Sequence, residues 1–288
     1  MLTDKKIFEI NPTDNRPRVT IVIVTYNSLK DVGQCIESIL KNTSVPYEII
    51  AIDNCSVDGT KEFLTELRNK FILKAILNNT NRGFSAATNQ GIVGAKGEYI
   101  ILLNPDTIVT KNWVRHLMQH FDGGTGAVGP ISNYVAGKQK IEFYLREWLN
   151  GEINIDKLSE YIYLWNEKEG VETKLLIGFC IMLRTAIIDK IGMLDEDLFL
   201  GSDDLEYSLR LRAQGYKLKV ATDTFIYHKG QASFNTEPSK KMKRLTQESQ
   251  DALFKKLEII YGQGMVPSSL ELWGMDWFMP TQLETVEL

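Results

Sequence analysis

The chain has 288 residues, 43% of them apolar and 24% charged, with a formal net charge of −4. That is ordinary globular composition, long enough to bury a core without staples, and it excludes a nucleic-acid binder driven by overall basic charge. Three cysteines (Cys35, Cys55 and Cys180) are odd in number and far apart, which fits a reducing compartment better than a disulfide framework.

Residues 1–17 are polar and end in Arg16-Pro17, a lead-in whose opening MLTDKKIFEI lacks the apolar core of a signal peptide. VTIVIVTYN at 19–27 is rich in β-branched residues and suits a strand buried on both faces of a parallel sheet. A helical pattern follows at 28–42, then a strand at 47–53 (YEIIAID) and a helix at about 60–70. KAILN at 74–78 is a third strand, residues 84–95 a small-residue helix, and EYIILLN at 98–104 a fourth strand closed by Pro105. Residues 110–121 are helical again. This alternation predicts an α/β fold with a Rossmann-like, mostly parallel sheet flanked by helices. Right-handed crossovers then gather the strands' C-terminal ends on one edge, where such sheets bind ligands.

The second half is less regular. GAVGPIS at 126–132 reads as a strand and turn, and 137–173 as a charged, aromatic insertion of helical character near the acceptor. KLLIGFCIMLRTAIIDKIG at 174–192 reads as a strand and a short helix, 198–216 as a loop and a helix, and 217–228 as one more strand. A basic amphipathic helix is expected at 238–261, followed by a tail with Trp273, Trp277 and Phe278. The expected division is a lead-in at 1–17, a main α/β domain at 18–235 split near 125 into two halves, and a C-terminal helix and tail at 236–288. No run of about 18 apolar residues appears, so no membrane span is expected.

Polar groups collect at the predicted strand ends: Thr25-Tyr26-Asn27, Asp53-Asn54 and Asn104-Pro105-Asp106. A carboxylate at Asp53 can accept hydrogen bonds from a base or ribose. One at Asp106 can hold a divalent cation through hard oxygen, and such a cation would stabilise a departing pyrophosphate. The bland reading, strand-end acids capping helices, stays open for Asp53 alone.

The segments VTIVIVTYN, EIIAIDNCSVDGT, NNTNRGFSAATNQGI, GEYIILLNPDTIV, LIGFCIMLRTAIIDKIGMLDEDLF, DDLEYSLRLRAQGY and IYHKGQASF occur in this order over residues 19–234. In this the chain resembles the family 2 glycosyltransferases of GT-A fold, with spacing similar to their rhamnosyltransferase-like bacterial branch. The resemblance implies an inverting enzyme that moves one sugar from a UDP- or dTDP-linked donor onto a hydroxyl of a glycan, lipid-linked glycan or protein. It implies that Thr25, Tyr26 and Asn27 line the nucleotide pocket, that Asp53 meets the base with Asn54 beside it, and that Arg82 and Gly83 approach ribose or phosphates. Asn104-Pro105-Asp106 takes the place of the family's DXD motif, with Asn104 for the first Asp, leaving Asp106 as its one carboxylate on Mn²⁺ or Mg²⁺ and His228 as a further ligand. Asp204 is implied as the general base, with Asp203 and Glu206 close enough to raise its pKa by like charge. Arg210 reads as a salt bridge at the core's edge, with phosphate or acceptor as the alternative. Gly178 faces donor sugar and acceptor, where a missing side chain allows close approach.

Other patterns carry less. Gly124 to Gly129 matches G-x-G-x-x-G, but a helix precedes it and a strand follows, the reverse of a dinucleotide site. His116 and His120 share a helix face without a third ligand and read as solvated. The run Lys240, Lys241, Lys243, Arg244 reads as a solvated face, with an anionic membrane surface at the cytoplasmic side as the alternative. Self-association is left open. Two rival functions are a sugar-phosphate nucleotidyltransferase, disfavoured because no Gly-rich basic loop follows the first strand, and a nucleotide-sugar-binding protein without catalysis.

Overall fold

The computed structural model describes residues 17–144, 154–166, 170–230 and 239–275. The order begins β1 (Val19–Thr25), α1 (Leu29–Asn42), β2 (Tyr47–Asp53), α2 (Thr60–Asn69), β3 (Lys74–Leu77), α3 (Phe84–Val93) and β4 (Tyr99–Leu103). It continues through β5 (Thr107–Ile108), α4 (Trp113–Gln119), β6 (Thr125–Ile131), α5 (Ile155–Trp165), β7 (Val171–Thr173), β8 (Cys180–Arg184) and α6 (Thr185–Ile191). It closes with α7 (Asp203–Ala213), β9 (Lys217–Phe225), β10 (Tyr227–His228), α8 (Ser239–Tyr261) and α9 (Ser269–Trp273).

Eight strands form one sheet in the order β3-β2-β1-β4-β8-β6-β9-β7, and β5 pairs with β10 as a separate ribbon. β1 to β4 are parallel, as the sequence predicts. β8 runs antiparallel between β4 and β6, and β7 antiparallel to β9 at the edge. The reversal of β8 matters for the site, because its N-terminal end meets the C-terminal end of β4, with Leu103 opposite Cys180.

The strands' apolar residues alternate between two helical layers. Ile21, Ile23, Ile49 and Ile101 face α1, α2 and α4, while Val22, Ile50, Ile52 and Ile100 face α3, α5, α6 and α7. A third cluster joins Leu253 and Leu257 of α8 and Leu272 and Trp273 of α9 to Leu175, Leu198 and Leu205. The C-terminal helix is thus packed against the segment that carries α7. Trp273 is buried and its indole N–H donates to the Leu205 carbonyl at 3.1 Å. Trp277 and Phe278 lie outside the described residues.

Two expectations are corrected. The 137–173 stretch is not simply helical: it includes two short 3₁₀ turns, α5, and the edge strand β7, too short to leave an alternating pattern. His116 and His120 are not solvated. His116 stacks on Tyr163 with centroids 4.2 Å apart, and His120 Nε2 meets Asp223 Oδ1 at 2.7 Å with both side chains fully buried. The glycines at 126 and 129 serve packing inside β6, where a Cβ would press on Tyr216 and on Gln139. Lys240, Lys241, Lys243 and Arg244 are exposed, and among the described residues no helix is long and apolar enough to cross a membrane.

Candidate active site

Parallel pairing sets Thr25 beside Asp53, so β1 and β2 end level. Asp53 is fully buried, with Oδ2 accepting from the Ser56 N–H at 3.0 Å and Oδ1 from the Thr25 hydroxyl at 3.3 Å. It therefore folds the turn after β2 and ties that turn to β1. Asn27 adopts a left-handed φ of 48°; its N–H donates to Ser56 Oγ and its Oδ1 accepts from the Val57 N–H, both at 2.9 Å. Tyr26 beside it is half-buried.

Asn54 spends its whole amide on the NRGF loop. Its Nδ2 donates to Asn81 Oδ1 at 2.8 Å and to the Gly83 carbonyl at 3.0 Å. Its Oδ1 accepts from the Arg82 N–H at 2.9 Å and from Asn78 Nδ2 at 3.2 Å. Gly83 has φ of 82°, and a Cβ there would lie 2.7 Å from the ring and the carbonyl of Phe199, so glycine is required. The Arg82 side chain is exposed and lines an open groove along α3 with Gln90, Val93, Met193 and Glu196.

At the end of β4, the Asn104 N–H donates to the Phe179 carbonyl at 2.9 Å and the Asn104 carbonyl accepts from Thr107 Oγ1 at 2.8 Å. The chain then turns through Asp106 into β5. Pairing of His228 with Thr107 in the β5–β10 ribbon brings His228 Nε2 to 3.3 Å from Asp106 Oδ1, with both side chains mostly buried. The other ring nitrogen, Nδ1, lies 2.7 Å from the Tyr134 carbonyl. A carbonyl only accepts, so Nδ1 carries a proton and donates it, and Nε2 is the nitrogen turned toward the Asp106 carboxylate. A cation between the two would satisfy both, and the carbonyl-anchored imidazole is the usual support of a metal-binding histidine. Among the described residues no group of three or more His, Cys, Asp or Glu could hold a metal alone. The pair fits a divalent cation that takes its remaining ligands from phosphate and water.

The third cluster sits at the start of α7. Asp204 Oδ2 accepts from the Gly178 N–H at 3.0 Å and Oδ1 from the Leu205 N–H at 2.9 Å. Burial raises the Asp204 pKa, and the two N–H bonds oppose that rise. Burial pushes Asp203 up to about 8, with the charges of Asp204 and Glu206 adding to it. The two carboxyls titrate as a coupled pair, and burial raises both. This corrects the expectation that Asp203 and Glu206 raise Asp204 by repulsion; desolvation dominates. Glu206 is instead held by Arg210, which grips it at 2.9 and 2.6 Å and donates to the carbonyls of Ile191 and Met193.

The segment Gly178-Phe179 joins these clusters. Gly178 holds the Asp204 carboxylate; Phe179 accepts from Asn104 and stacks on His228, centroids 5.1 Å apart. A Cβ on Gly178 would come no nearer than 3.5 Å to any atom and would point at the carboxylates of Asp203 and Asp204. Packing does not demand glycine there. Sequence reasoning missed Tyr134, whose contribution is a carbonyl and leaves no side-chain signal. It missed Gln139 too, which bridges the Ile177 N–H (2.7 Å) and the Pro130 carbonyl (2.9 Å) and so fixes the approach to Gly178. Phe179 lay inside a recognised segment, and an aromatic beside the key glycine could have been flagged.

With that geometry in hand, the chain belongs to glycosyl transferase family 2, whose profile matches residues 20–192. It is 32% identical over 120 residues to the succinoglycan biosynthesis protein ExoO of Rhizobium meliloti, covering 42% of this chain and 34% of that one. It is 23% identical over 219 residues to glycosyltransferase AglE of Haloferax volcanii, covering 75% and 68%. The chain thus spans about a third of ExoO's length. Among solved structures, GalNAc-T7 with UDP, GalNAc and Mn²⁺ superposes with a TM-score of 0.59 at 20% identity, covering 75% of this chain and 44% of that one. The mannosyltransferase PcManGT of Pyrobaculum calidifontis, with GDP-Man and Mn²⁺, gives 0.56 at 19% identity, covering 78% and 60%. These establish the GT-A fold. The nucleotidyltransferase alternative finds no support in them.

Proposed function

We propose that this chain transfers a single sugar, with inversion, from a nucleoside diphosphate sugar to an acceptor hydroxyl, using a divalent cation. The observation that carries this is the convergence on Gly178-Phe179 of an oriented carboxylate, Asp204, and a carboxylate–imidazole pair, Asp106 and His228. The relatives' names and the nucleotide sugars in the neighbouring structures support it.

In this reading Asp204 takes the proton of the acceptor hydroxyl as that oxygen bonds to the anomeric carbon, and the bond from that carbon to phosphate breaks with its electron pair leaving on the diphosphate. Attack opposite the leaving group inverts the anomeric carbon, and no enzyme nucleophile is needed. Two backbone N–H bonds aim the Asp204 carboxylate, while burial keeps it basic enough to accept the proton. Gly178 leaves room above it for the reacting sugar. Asp106 and His228 hold the cation, which when bound neutralises charge on the diphosphate. Thr25, Tyr26, Asn27 and Asp53 frame the nucleotide end, and Asn54 and Gly83 set the loop that closes over it. Asn104 shapes the turn into Asp106, and Arg82 serves the donor only by turning out of its groove. Asp203 stands beside the acceptor with its pKa raised by burial, and Glu206 and Arg210 brace α7 behind it.

The donor is a UDP or dTDP sugar, with dTDP-rhamnose first in order, and the acceptor a glycan, lipid-linked glycan or protein. The test is release of nucleoside diphosphate from a panel of UDP, dTDP and GDP sugars in Mn²⁺. Release from at least one, lost in excess chelator and in Asp204→Asn, is expected. Release of pyrophosphate from a nucleoside triphosphate plus sugar phosphate, or full activity of Asp204→Asn, would overturn the reading.

A further inference from the structure

The residue after His228 is not used by the reaction as described. Lys229 donates its backbone N–H to the Asp106 carbonyl at 3.0 Å, so its side chain starts from the loop that would hold the cation. Its Nζ crosses to Asp31 Oδ1 at 2.5 Å, joining residues 198 apart in sequence. Asp31 lies in the first turn of α1, just after the Tyr26-Asn27 end of β1. The two residues and Asp106 line a small cavity of about 20 Å³ between α1 and the β5–β10 ribbon, with room for one water.

The pair is lopsided. The Lys229 side chain is 56% exposed, whereas that of Asp31 is 12% exposed. The lysine can therefore swing toward solvent, at the cost of leaving the mostly buried Asp31 unpaired, a cost that contacts to phosphate must offset. The acid cannot follow.

Charge counting says where the lysine is needed. A nucleoside diphosphate sugar carries two negative charges on its diphosphate, and Asp106 adds a third; a divalent cation cancels two. One charge is left over, and another appears as the bond to the sugar breaks. With Lys229 bound to Asp31, the other cation assigned to the donor, Arg82, lies in its groove along α3.

We propose that Lys229 is a diphosphate ligand held in reserve by Asp31, leaving the acid for the phosphates when donor binds and as the leaving group gains charge. This rests on the proposed function above. Asp31 then sets nucleotide affinity by competing for the ammonium, and it touches no substrate itself.

The experiment is calorimetric binding of UDP and dTDP to the full chain, with excess chelator and again with Mn²⁺, uridine and thymidine serving as phosphate-free controls. Lys229→Met is expected to weaken diphosphate binding about tenfold in chelator, as for loss of one charge-assisted contact, and to leave the nucleosides unchanged. Asp31→Asn is expected to strengthen diphosphate binding several-fold, and the double variant to match Lys229→Met. Melting curves control for folding, and Lys229→Arg should restore most of the affinity. Unchanged diphosphate binding in Lys229→Met overturns the proposal while leaving the function intact. So does equal weakening by Lys229→Met and Asp31→Asn, the mark of a clasp that only braces the fold. Failure of the wild-type chain to bind either diphosphate would remove both readings together.

Discussion

The two ends of the candidate site, the one proposed for the nucleotide and the one proposed for the reaction, are built in opposite ways. Around Asp53 and Asn54, the polar atoms are consumed inside the protein: Asp53 bonds Thr25 and Ser56, and Asn54 satisfies four partners in the neighbouring loop. Around Asp203, Asp204, Asp106 and His228, the groups are oriented but left with chemistry to do. One carboxyl is pushed up to about 8, and an imidazole Nε2 faces a carboxylate oxygen at 3.3 Å. A network consumed by the fold is rigid and stabilising, whereas buried carboxyl groups with raised pKa, gathered in one place, are suited to proton transfer. The difference teaches that mutations at the two ends should fail differently, one in stability and the other in chemistry.

The largest expected effect is at the base. Asp204→Asn should lower transfer by about 10²- to 10⁴-fold, the usual worth of a general base, while nucleotide binding and melting temperature hold. A parallel loss of folding would erase the distinction between the ends. Next, His228→Ala or Asp106→Asn should weaken Mn²⁺ binding in the presence of nucleoside diphosphate by about 10- to 100-fold, measured by metal titration. At the nucleotide end, Asn54→Ala should instead cost roughly 1–3 kcal/mol of stability by leaving buried partners unmatched, read by denaturant unfolding.

A subtler contrast comes from pH. The Asp203 pKa is raised from 3.8 to about 8 in the folded state, so its contribution is fully present below 3.8 and is lost as pH rises through about 8. Wild-type stability should therefore fall across that window by an amount on the order of a few kcal/mol. Asp203→Asn should flatten the fall. The smallest effect concerns Gly178→Ala, which packing tolerates: melting should change little, while transfer to bulky acceptors should drop in kcat/KM more than donor hydrolysis does.

The two ends also differed in how far the sequence betrayed them. β1 to β4 were legible because β1, β2 and β4 are short, largely buried apolar runs, β3 is a half-buried one, and helices separate them; their bounds were predicted nearly to the residue. Strand-end polar residues marked the edge where ligands bind. On the other side, β8 sits between strands distant in sequence and runs backwards, a direction fixed by pairing that no local pattern encodes. β7 is three residues long. The carbonyl of Tyr134 orients His228 from 94 residues away and has no signature at all. The histidines at 116 and 120 misled because helix spacing says which face they share, while the partners that bury them, Tyr163 and Asp223, come from other elements.

The most direct measurement is the anomalous scattering of Mn²⁺ in crystals of the chain grown with UDP or dTDP. A single peak bonded to Asp106 and His228 and to phosphate oxygens, with Asp204 facing it across Gly178, is the expected result. A peak elsewhere, or a diphosphate bound away from those three side chains, would contradict it.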